Sequence, residues 1–405
     1  MPIERAQARP VTGPPADRRY PRGRAVCIIE PVPQGGRLHD PYRLGEQVLK
    51  IAIGTDRGGW HRRFAEAVER RALDRPGLEY GFVNLDRSDW LARVAGATLV
   101  IWKPPYMGHE FAGYVKEKIH FLEHHAGLTV VPGFETVWHF ESKAAQSYLL
   151  SLAGIPTPRT FVTFDYDEAA QQAGLEEFPV VLKGSAGAGS VNVRAVRSRE
   201  ELMGIVRRAF SLTLWDRTAA GGRGRLSRLA SGIGRDWFAD FLRRRRRGEQ
   251  PFGVAYWQEF VPGNDADLRI TAIGDSFATG FWRNNRPGDF RASGSGRIDY
   301  DRPVPEEAML ACLGINRRFG FDSMAYDILF RDGRMLVSEM SYGYSDSAVH
   351  GVAGYWRLES PGCLRFVEGH TWPQDLWVDW AISKADAASG ARAGTASPGG
   401  RDPER

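Results

Sequence analysis

Lysine is scarce in this chain. Only seven occur in 405 residues (Lys50, Lys103, Lys116, Lys118, Lys143, Lys183 and Lys384), so arginine supplies nearly all of the 54 basic side chains. Set against 49 acidic residues they leave a formal charge of +5, too small to argue for nucleic acid as a partner. Cysteine is sparser still. Cys27, Cys312 and Cys363 are odd in number and far apart, which excludes a disulfide framework and a zinc pattern and points to a reducing compartment, hence a cytoplasmic protein. No apolar run approaches the ~18 residues of a membrane span. The first apolar cluster, AVCIIEPV, is broken by Glu30 and Pro31 and makes no signal-peptide core. What is present, 42% hydrophobic residues with 11% aromatics, can fill the cores of two or three domains.

Residues 1–46 are rich in Pro, Gly and Arg without a sustained period and read as a flexible extension. From Gln47 the pattern alternates: strand QVLKIAIG, a helix with Trp60, Phe64 and Val68 four apart, strand LEYGFVNL, helix SDWLARVAG and strand ATLVIW. That is a small parallel α/β domain over 47–135. Its first loop, Gly54 to Gly59, is not GxGxxG and reads as a strand-to-helix turn. Loops at strand carboxyl ends line clefts, so Asp56, Arg57 and His61 stand as substrate-side candidates. His120, His124 and His125 share part of a helical spacing without a complete ligand set, which fits a solvated helix face.

A helix from Ser142 to Ala153 closes at Gly154, with Pro156 and Pro158 beyond it. Two apolar arms in FPVVLKGSAGAGSVNVRAV then flank a glycine-rich tip, with Lys183 ending the first arm. The Lys precedes the glycines, so this is not a Walker A loop. Small residues such as Ser185, Gly187 and Gly189 let backbone N–H groups approach phosphates, and the other reading is a plain hairpin tip. Residues 211–250 form a basic insertion ending in Arg243 to Arg247. Ile233, Trp237, Phe238, Phe241 and Leu242 give it an amphipathic helix, packed on its own domain or presented, through 233–247, to a membrane or an anionic partner. Strand AYWQEFVP, a hairpin about Gly274-Asp275, the arginines Arg283, Arg286 and Arg291, and a helix from Pro305 to Phe319 follow. The chain from Ala385 is expected to be a disordered tail.

The stretch Met324 to Gly343 reads as two strands about an Asp332-Gly333 turn. Its arms are apolar on both faces, which predicts a place near the middle of a sheet. Asp327 lies on one arm, and Glu339 and Ser341 on the other. A three-residue loop would make the two carboxylates cross-strand neighbours, whereas a two-residue loop would set Asp327 opposite Ser338 and turn Glu339 away. The odd loop is expected, with a divalent cation between the carboxylates, and oxygen-only ligands suit Mg²⁺. Satisfaction of both by neighbouring Arg is the alternative.

In this order, SKAAQSYLLSLAGIPTPRT, FPVVLKGSAGAGS, QEFVPGNDADLRITAIGD, GDFRASGSG and the hairpin resemble the ATP-grasp superfamily, and within it the RimK-type ligases that join a carboxylate to an amine. The resemblance spans about residues 136–345. It implies a mixed α/β (α+β) chain with the ATP-grasp fold: a pre-ATP-grasp α/β domain over 47–135, a lid subdomain over 136–250 that carries the insertion, and a C-terminal subdomain over 251–384. It further implies that Lys143 and Lys183 contact the phosphates of ATP, with Ser185, Gly187 and Gly189 in the lid tip. Glu259, Phe260 and Val261 would recognise adenine, and Asp265 or Asp267 would approach the ribose. Arg269 looks like the Arg of an Asp-x-Arg motif. Arg283 and Arg291, with Lys183, would surround the transferring phosphate, and Asp327, Glu339 and Ser341 would hold Mg²⁺. Ser341 and Ser293 replace asparagines of the family pattern. The implied chemistry is an ATP- and Mg²⁺-dependent ligation of small-molecule or peptide carboxylates and amines through an acyl phosphate. A phosphotransferase acting on a hydroxyl and a non-catalytic nucleotide- or polyanion-binding module are the rival readings.

Overall fold

A computed structural model of the chain describes residues 48–105, 109–183, 193–211 and 253–395. The N-terminal extension, the lid tip with Ser185, Gly187 and Gly189, and the basic helix of the insertion lie outside the described residues.

Four strands, β1 (Leu49–Gly54), β2 (Leu78–Val83), β3 (Leu99–Trp102) and β4 (Thr129–Val131), pair in parallel in the order β2-β1-β3-β4. Helices α1 (Trp60–Ala72) and α2 (Trp90–Val94) connect the first three, as the alternating pattern predicts, and α3 (His109–His124) leads on to β4, beyond that pattern. The four-residue spacing of Trp60, Phe64 and Val68 becomes the buried stripe of α1. His120, His124 and His125 lie exposed on and just beyond α3.

After α4 (Phe134–Val137), α5 (Lys143–Leu152) starts where Ser142 accepts the Ala145 N–H at 3.2 Å and stops at Gly154, whose φ of 65° suits glycine. A second, antiparallel sheet follows in the order β5-β8-β6-β7: β5 (Thr160–Thr163), β6 (Val180–Lys183), β7 (Val193–Val196) and β8 (Ala255–Glu259). Helices α6 (Tyr166–Ala173) and α7 (Arg199–Ser211) cover one face of it, where Trp257, Leu182, Val196 and Leu202 share a core. Strand β8 belongs to this sheet, which therefore draws on residues beyond 250.

The third sheet has β9 (Ala266–Ile273), β10 (Phe277–Asn284), β11 (Ile298–Asp299), β12 (Ser323–Arg331), β13 (Arg334–Ser341), β14 (Gly354–Ser360) and β15 (Cys363–Glu368). Its order is β13-β12-β9-β10-β14-β15, with β11 paired to β10. Helix α8 (Glu306–Phe319) packs on one face through Met309, Cys312 and Leu313. Helix α9 (Asp346–His350) precedes β14, and helix α10 (Pro373–Thr395), which follows β15, joins α1 on the other face through Trp377 and Phe64, whose rings lie 5.7 Å apart. Two covered faces account for the apolar residues on both sides of the hairpin. Only β12 is interior, however, and β13 is an edge strand, so the expected central position is corrected for that arm. Its open edge is covered in part by the lid side of the chain, where Val337 N–H donates to the Pro156 carbonyl at 2.8 Å.

The expected tail is corrected over residues 385–395, and residues 396–405 lie outside the described residues. Helix α10 continues to Thr395 because Ala385 is buried and Asp386 takes both guanidinium nitrogens of Arg75 at 2.7 Å. Arg70 and Arg71 of α1 pair likewise with Asp375 and Asp379. No described helix is long and apolar enough to cross a membrane.

Candidate active site

Asp327 and Glu339 are direct cross-strand partners, but not by the expected route. The turn is a two-residue one, Asp332-Gly333, with positive φ at both positions (51° and 75°), and Arg331 pairs with Arg334 across it. From there the ladder runs regularly to Ile328 opposite Val337, then shifts by one, so Ser338 is the extra residue of a β-bulge. The predicted three-residue loop is therefore wrong, and the bulge supplies the odd count instead. Ser338 Oγ donates to the Asp327 carbonyl at 3.1 Å, and its own carbonyl accepts from Lys183 Nζ at 2.9 Å.

Pairing carries the row onward. Asp327 lies opposite Arg269 on β9, and Asp267 opposite Arg283 on β10. Arg269 binds Asp327 through Nε at 2.8 Å and Nη2 at 2.7 Å, and Arg283 reaches the same carboxylate at 2.7 Å while also holding Asp267 through two nitrogens. Lys143, the first residue of α5, pairs with Glu339. Four cationic side chains (Arg269, Arg283, Lys143, Lys183) thus face three carboxylates (Asp267, Asp327, Glu339), drawn from the lid, α5 and four strands' worth of cross-strand neighbours. The surplus is one positive charge, at a site where a polyphosphate would be attracted.

The titration behaviour follows. Burial alone would raise the Asp327 carboxyl, but Arg269 and Arg283 outweigh it and hold the group well below the usual range. Burial likewise opposes ionisation of Glu339, and Lys143 and Lys183 overcome it and lower its pKa. Asp267 moves the other way, raised by burial and by the neighbouring Asp327. Lys183 is pushed down to about 8, chiefly by burial, with Lys143 adding to the fall.

Other expected residues are placed as follows. Strand β8 ends at Glu259, whose side chain takes the Arg159 N–H at 2.6 Å and Arg331 at 2.7 Å; Phe260 and Val261 lie beyond the ladder, with Phe260 packed edge-on against Phe290. Asp265 is exposed and 3.4 Å from Arg302, whereas Asp267 is buried on Arg283 and so is spent on the charge cluster. Arg291 is not gathered with Arg283. It chelates Asp289 at 2.6 and 2.8 Å, reaches the Val193 carbonyl of β7 at 3.3 Å, and lines a cavity of about 480 Å³ with Phe260, Phe290 and Val193. Ser341 lies on the carboxylate face, opposite Ala325, and its Oγ closes a turn with the Gly343 N–H and carbonyl at 3.0 and 3.2 Å. Asp56 caps α1 by accepting the Trp60 and His61 N–H groups and also pairs with the His61 ring, as the turn reading predicts.

For Mg²⁺ the donor chemistry fits in kind: two carboxylates on one face offer hard oxygens. They are too few to hold the ion without further oxygens, which Mg²⁺ ordinarily takes from phosphates and water. Among the described residues no group of three His, Cys, Asp or Glu side chains is placed to hold a metal. The set therefore suits an ion that arrives with a nucleotide.

Two features escaped the sequence reading. One is Lys103 at the end of β3, among the aromatic rings of Trp60, Tyr342 and Tyr344. The other is the β14–β15 hairpin, for which the Pro361-Gly362 pair between apolar stretches was the available signal.

No family model matches the chain. Over 236 residues it is 25% identical to the alpha-aminoadipate–LysW ligase LysX of Saccharolobus solfataricus, spanning 58% of this chain and 70% of that protein. It is 26% identical over 174 residues to a biotin carboxylase of Halalkalibacterium halodurans, 42% of this chain, and spans about a third (35%) of that protein's length. Among solved structures, a RiPP-associated ATP-grasp ligase of Chryseobacterium gregarium, in complex with ADP and a leader and core peptide, has a TM-score of 0.50. That likeness covers 83% of this chain and 97% of the other at 13% identity, and it bears on the fold alone.

Proposed function

We propose that the chain, which resembles the ATP-grasp ligases, joins a carboxylate to an amine at the expense of ATP and Mg²⁺, through an acyl phosphate, in the manner of the RimK-type enzymes. The observation that carries this reading is the row Glu339–Asp327–Arg269 across three strands, with Lys143, Lys183 and Arg283 around it. Phosphoryl transfer needs little covalent help from a protein and much positioned positive charge, which is what this cluster supplies.

In this reading Lys143 and Lys183 leave Glu339 and the Ser338 carbonyl for phosphate oxygens. Glu339 is then released towards a cation, and its side chain, 29% exposed, has room to turn. Asp327 and Glu339 would hold Mg²⁺, with Ser341 beside them, and the ion would neutralise the charge developing on the phosphates. Arg269 keeps Asp327 ionised and aimed. Arg283, fixed by Asp267, presents its guanidinium to the transferring group, and Arg291 joins it from the β7 side. Phe260 and Val261 would meet adenine through their backbone, with Glu259 steadied by Arg331 and Asp265 open to the ribose. The lid tip with Ser185, Gly187 and Gly189 would exclude water from the acyl phosphate. The substrates are of the small-molecule or peptide kind, in line with the alpha-aminoadipate–LysW ligase that the chain resembles.

The test is ADP formation in the presence of paired carboxylates and amines, with ¹⁸O in the carboxylate. Turnover that needs both partners, with one ¹⁸O passing into the phosphate released, is expected. ADP formed while the phosphate stays on a product hydroxyl would establish phosphotransfer instead.

A further inference from the structure

Residues 285–297 form a loop between β10 and β11. Its base is closed where the Asn284 N–H donates to the Arg297 carbonyl at 2.9 Å. Asn285 ties that base to the stretch after β8, donating its N–H to the Asp265 carbonyl at 2.9 Å and its side-chain amide to the Asn264 carbonyl at 2.8 Å. From there the loop reaches β7, where Arg291 Nη1 donates to the Val193 carbonyl at 3.3 Å. Val193 is the cross-strand partner of Lys183, and paired strands lie about 4.8 Å apart. Arg291 thus stands beside the strand pair that carries Lys183, whose ammonium joins the carboxylate cluster at the Ser338 carbonyl.

The two arginines read as partners of the transferring phosphate are held very differently. Arg283 lies between Asp267 and Asp327, both buried, and parting a buried charge from its partners is costly, so Arg283 is fixed. Arg291 grips a single carboxylate. Its Nε and Nη2 lie 2.8 and 2.6 Å from Asp289, and the two side chains are open to water, at 31% and 21% exposure. An open pair of this kind is worth only a few-fold in an equilibrium. Arginine offers phosphate the same edge that it offers a carboxylate, so one can replace the other.

The carboxylate has anchors of its own. Asp289 Oδ1 accepts the backbone N–H of Arg291 at 3.0 Å, and the Asp289 N–H donates to the Arg286 carbonyl at 3.0 Å. A turn of the Arg291 side chain therefore frees the guanidinium while Asp289 stays in the loop.

We propose that Asp289 stands in for the γ-phosphate of ATP: it keeps Arg291 when ADP binds and yields it to the γ-phosphate when ATP binds. The pair then sets how strongly the site tells ATP from ADP, with Asp289 a positioning residue that acts through Arg291. Once the γ-phosphate has been transferred, the guanidinium returns to a carboxylate that has kept its place. The inference rests on the nucleotide site of the ligase reading above and deepens it.

The test is calorimetric titration of the full-length protein, in Mg²⁺, with ADP and with the non-hydrolysable analogue AMPPNP. Asp289→Asn keeps an oxygen for the Arg291 N–H but loses the charge. It is expected to bind AMPPNP roughly two- to fivefold more tightly than the unchanged protein and ADP equally well. Made in an Arg291→Gln background, the same change is expected to alter neither affinity, because residues in contact do not act independently. A preference for AMPPNP over ADP that stays the same or falls in Asp289→Asn would overturn the proposal. A gain that persists in the Arg291→Gln background would overturn it too, since that marks the field of the carboxylate and not an exchange of partners. If the unchanged protein binds neither nucleotide, the ligase reading itself falls, and the role of Asp289 with it.

Discussion

Lys183 of the lid donates to the carbonyl of Ser338, the one residue of β13 that has no partner on β12. The bulge that aligns the two site carboxylates is therefore also the point where the lid strand β6 touches the large sheet. Alignment of the two carboxylates and one contact between the sheets thus meet at Ser338.

Deleting Ser338 separates the two roles. With the two-residue Asp332-Gly333 turn retained, the shortened strand sets Asp327 opposite Glu339 in a regular ladder, while Lys183 loses its acceptor. The deletion is expected to fold and to lose about 1–3 kcal/mol, the range for two or so hydrogen bonds, measured by urea denaturation. A structure of the deletion with Glu339 turned to the opposite face would mean that the turn, not the bulge, sets the register.

Asp327 and Glu339 are expected to differ when neutralised. Asp327→Asn leaves Arg269 and Arg283 buried without their shared counter-ion, and breaking one side of a buried pair removes about 3–5 kcal/mol. Glu339 is more open, its side chain 29% exposed against 8% for Asp327, so Glu339→Gln should cost less stability. Both should abolish ATP turnover. Thermal denaturation beside an ADP-release assay checks the contrast, and equal stability losses would refute this account of the cluster.

Much of this was legible in the residues. The start of one helix near Ser142 and its close at Gly154, the end of another at Phe319 and the place, though not the length, of the turn at Asp332-Gly333 depend on local chemistry, and each lies where it was expected. The facing of Asp327 and Glu339 was expected for the wrong reason, since a bulge leaves no mark in a two-residue period except a polar residue such as Ser338 where the alternation slips. The pairing of Asp267 with Arg283, 16 positions away, depends on the β9–β10 register, and motif order says nothing of it. Arg291 was assigned by resemblance to the transferring phosphate, yet Asp289, two residues earlier, competes for it at close range. The aromatic surroundings of Lys103 join residues 60, 342 and 344, a juxtaposition made only by the packing of the first domain on the large sheet.

The pH dependence of nucleotide binding should report Lys183. Its pKa, lowered to about 8 from 10.5, means that the free protein gives up this proton more readily than the unfolded chain does. Between those values the unfolded chain binds more protons, so the destabilisation from burying the charge is full below pH 8 and is relieved as pH rises towards 10.5. Phosphate binding has the opposite slope, because it needs the charged form. ADP affinity is expected to weaken as pH passes about 8, and Lys183→Arg should shift that weakening to higher pH. Calorimetric titration with ADP across pH 7 to 9.5 checks both, and an unchanged profile in the variant would place the titrating group elsewhere.

The end of α10 offers a test of the corrected tail. Ending the chain at Lys384 removes Ala385 from the core that α10 shares with α1 and takes Asp386 from Arg75. Burial of one small apolar side chain and one half-exposed ion pair together suggest a loss of about 1–2 kcal/mol. It also moves a helix end, with its unsatisfied carbonyls, next to Lys384, whose ammonium is already engaged with both oxygens of Asp322 and with the Val130 carbonyl. A chain ending at Thr395 keeps all of these contacts and should denature at a higher temperature than the chain ending at Lys384. Equal stability of the two truncations would show that residues 385–395 add nothing to the fold, as expected of a tail and not of a helix held by Arg75.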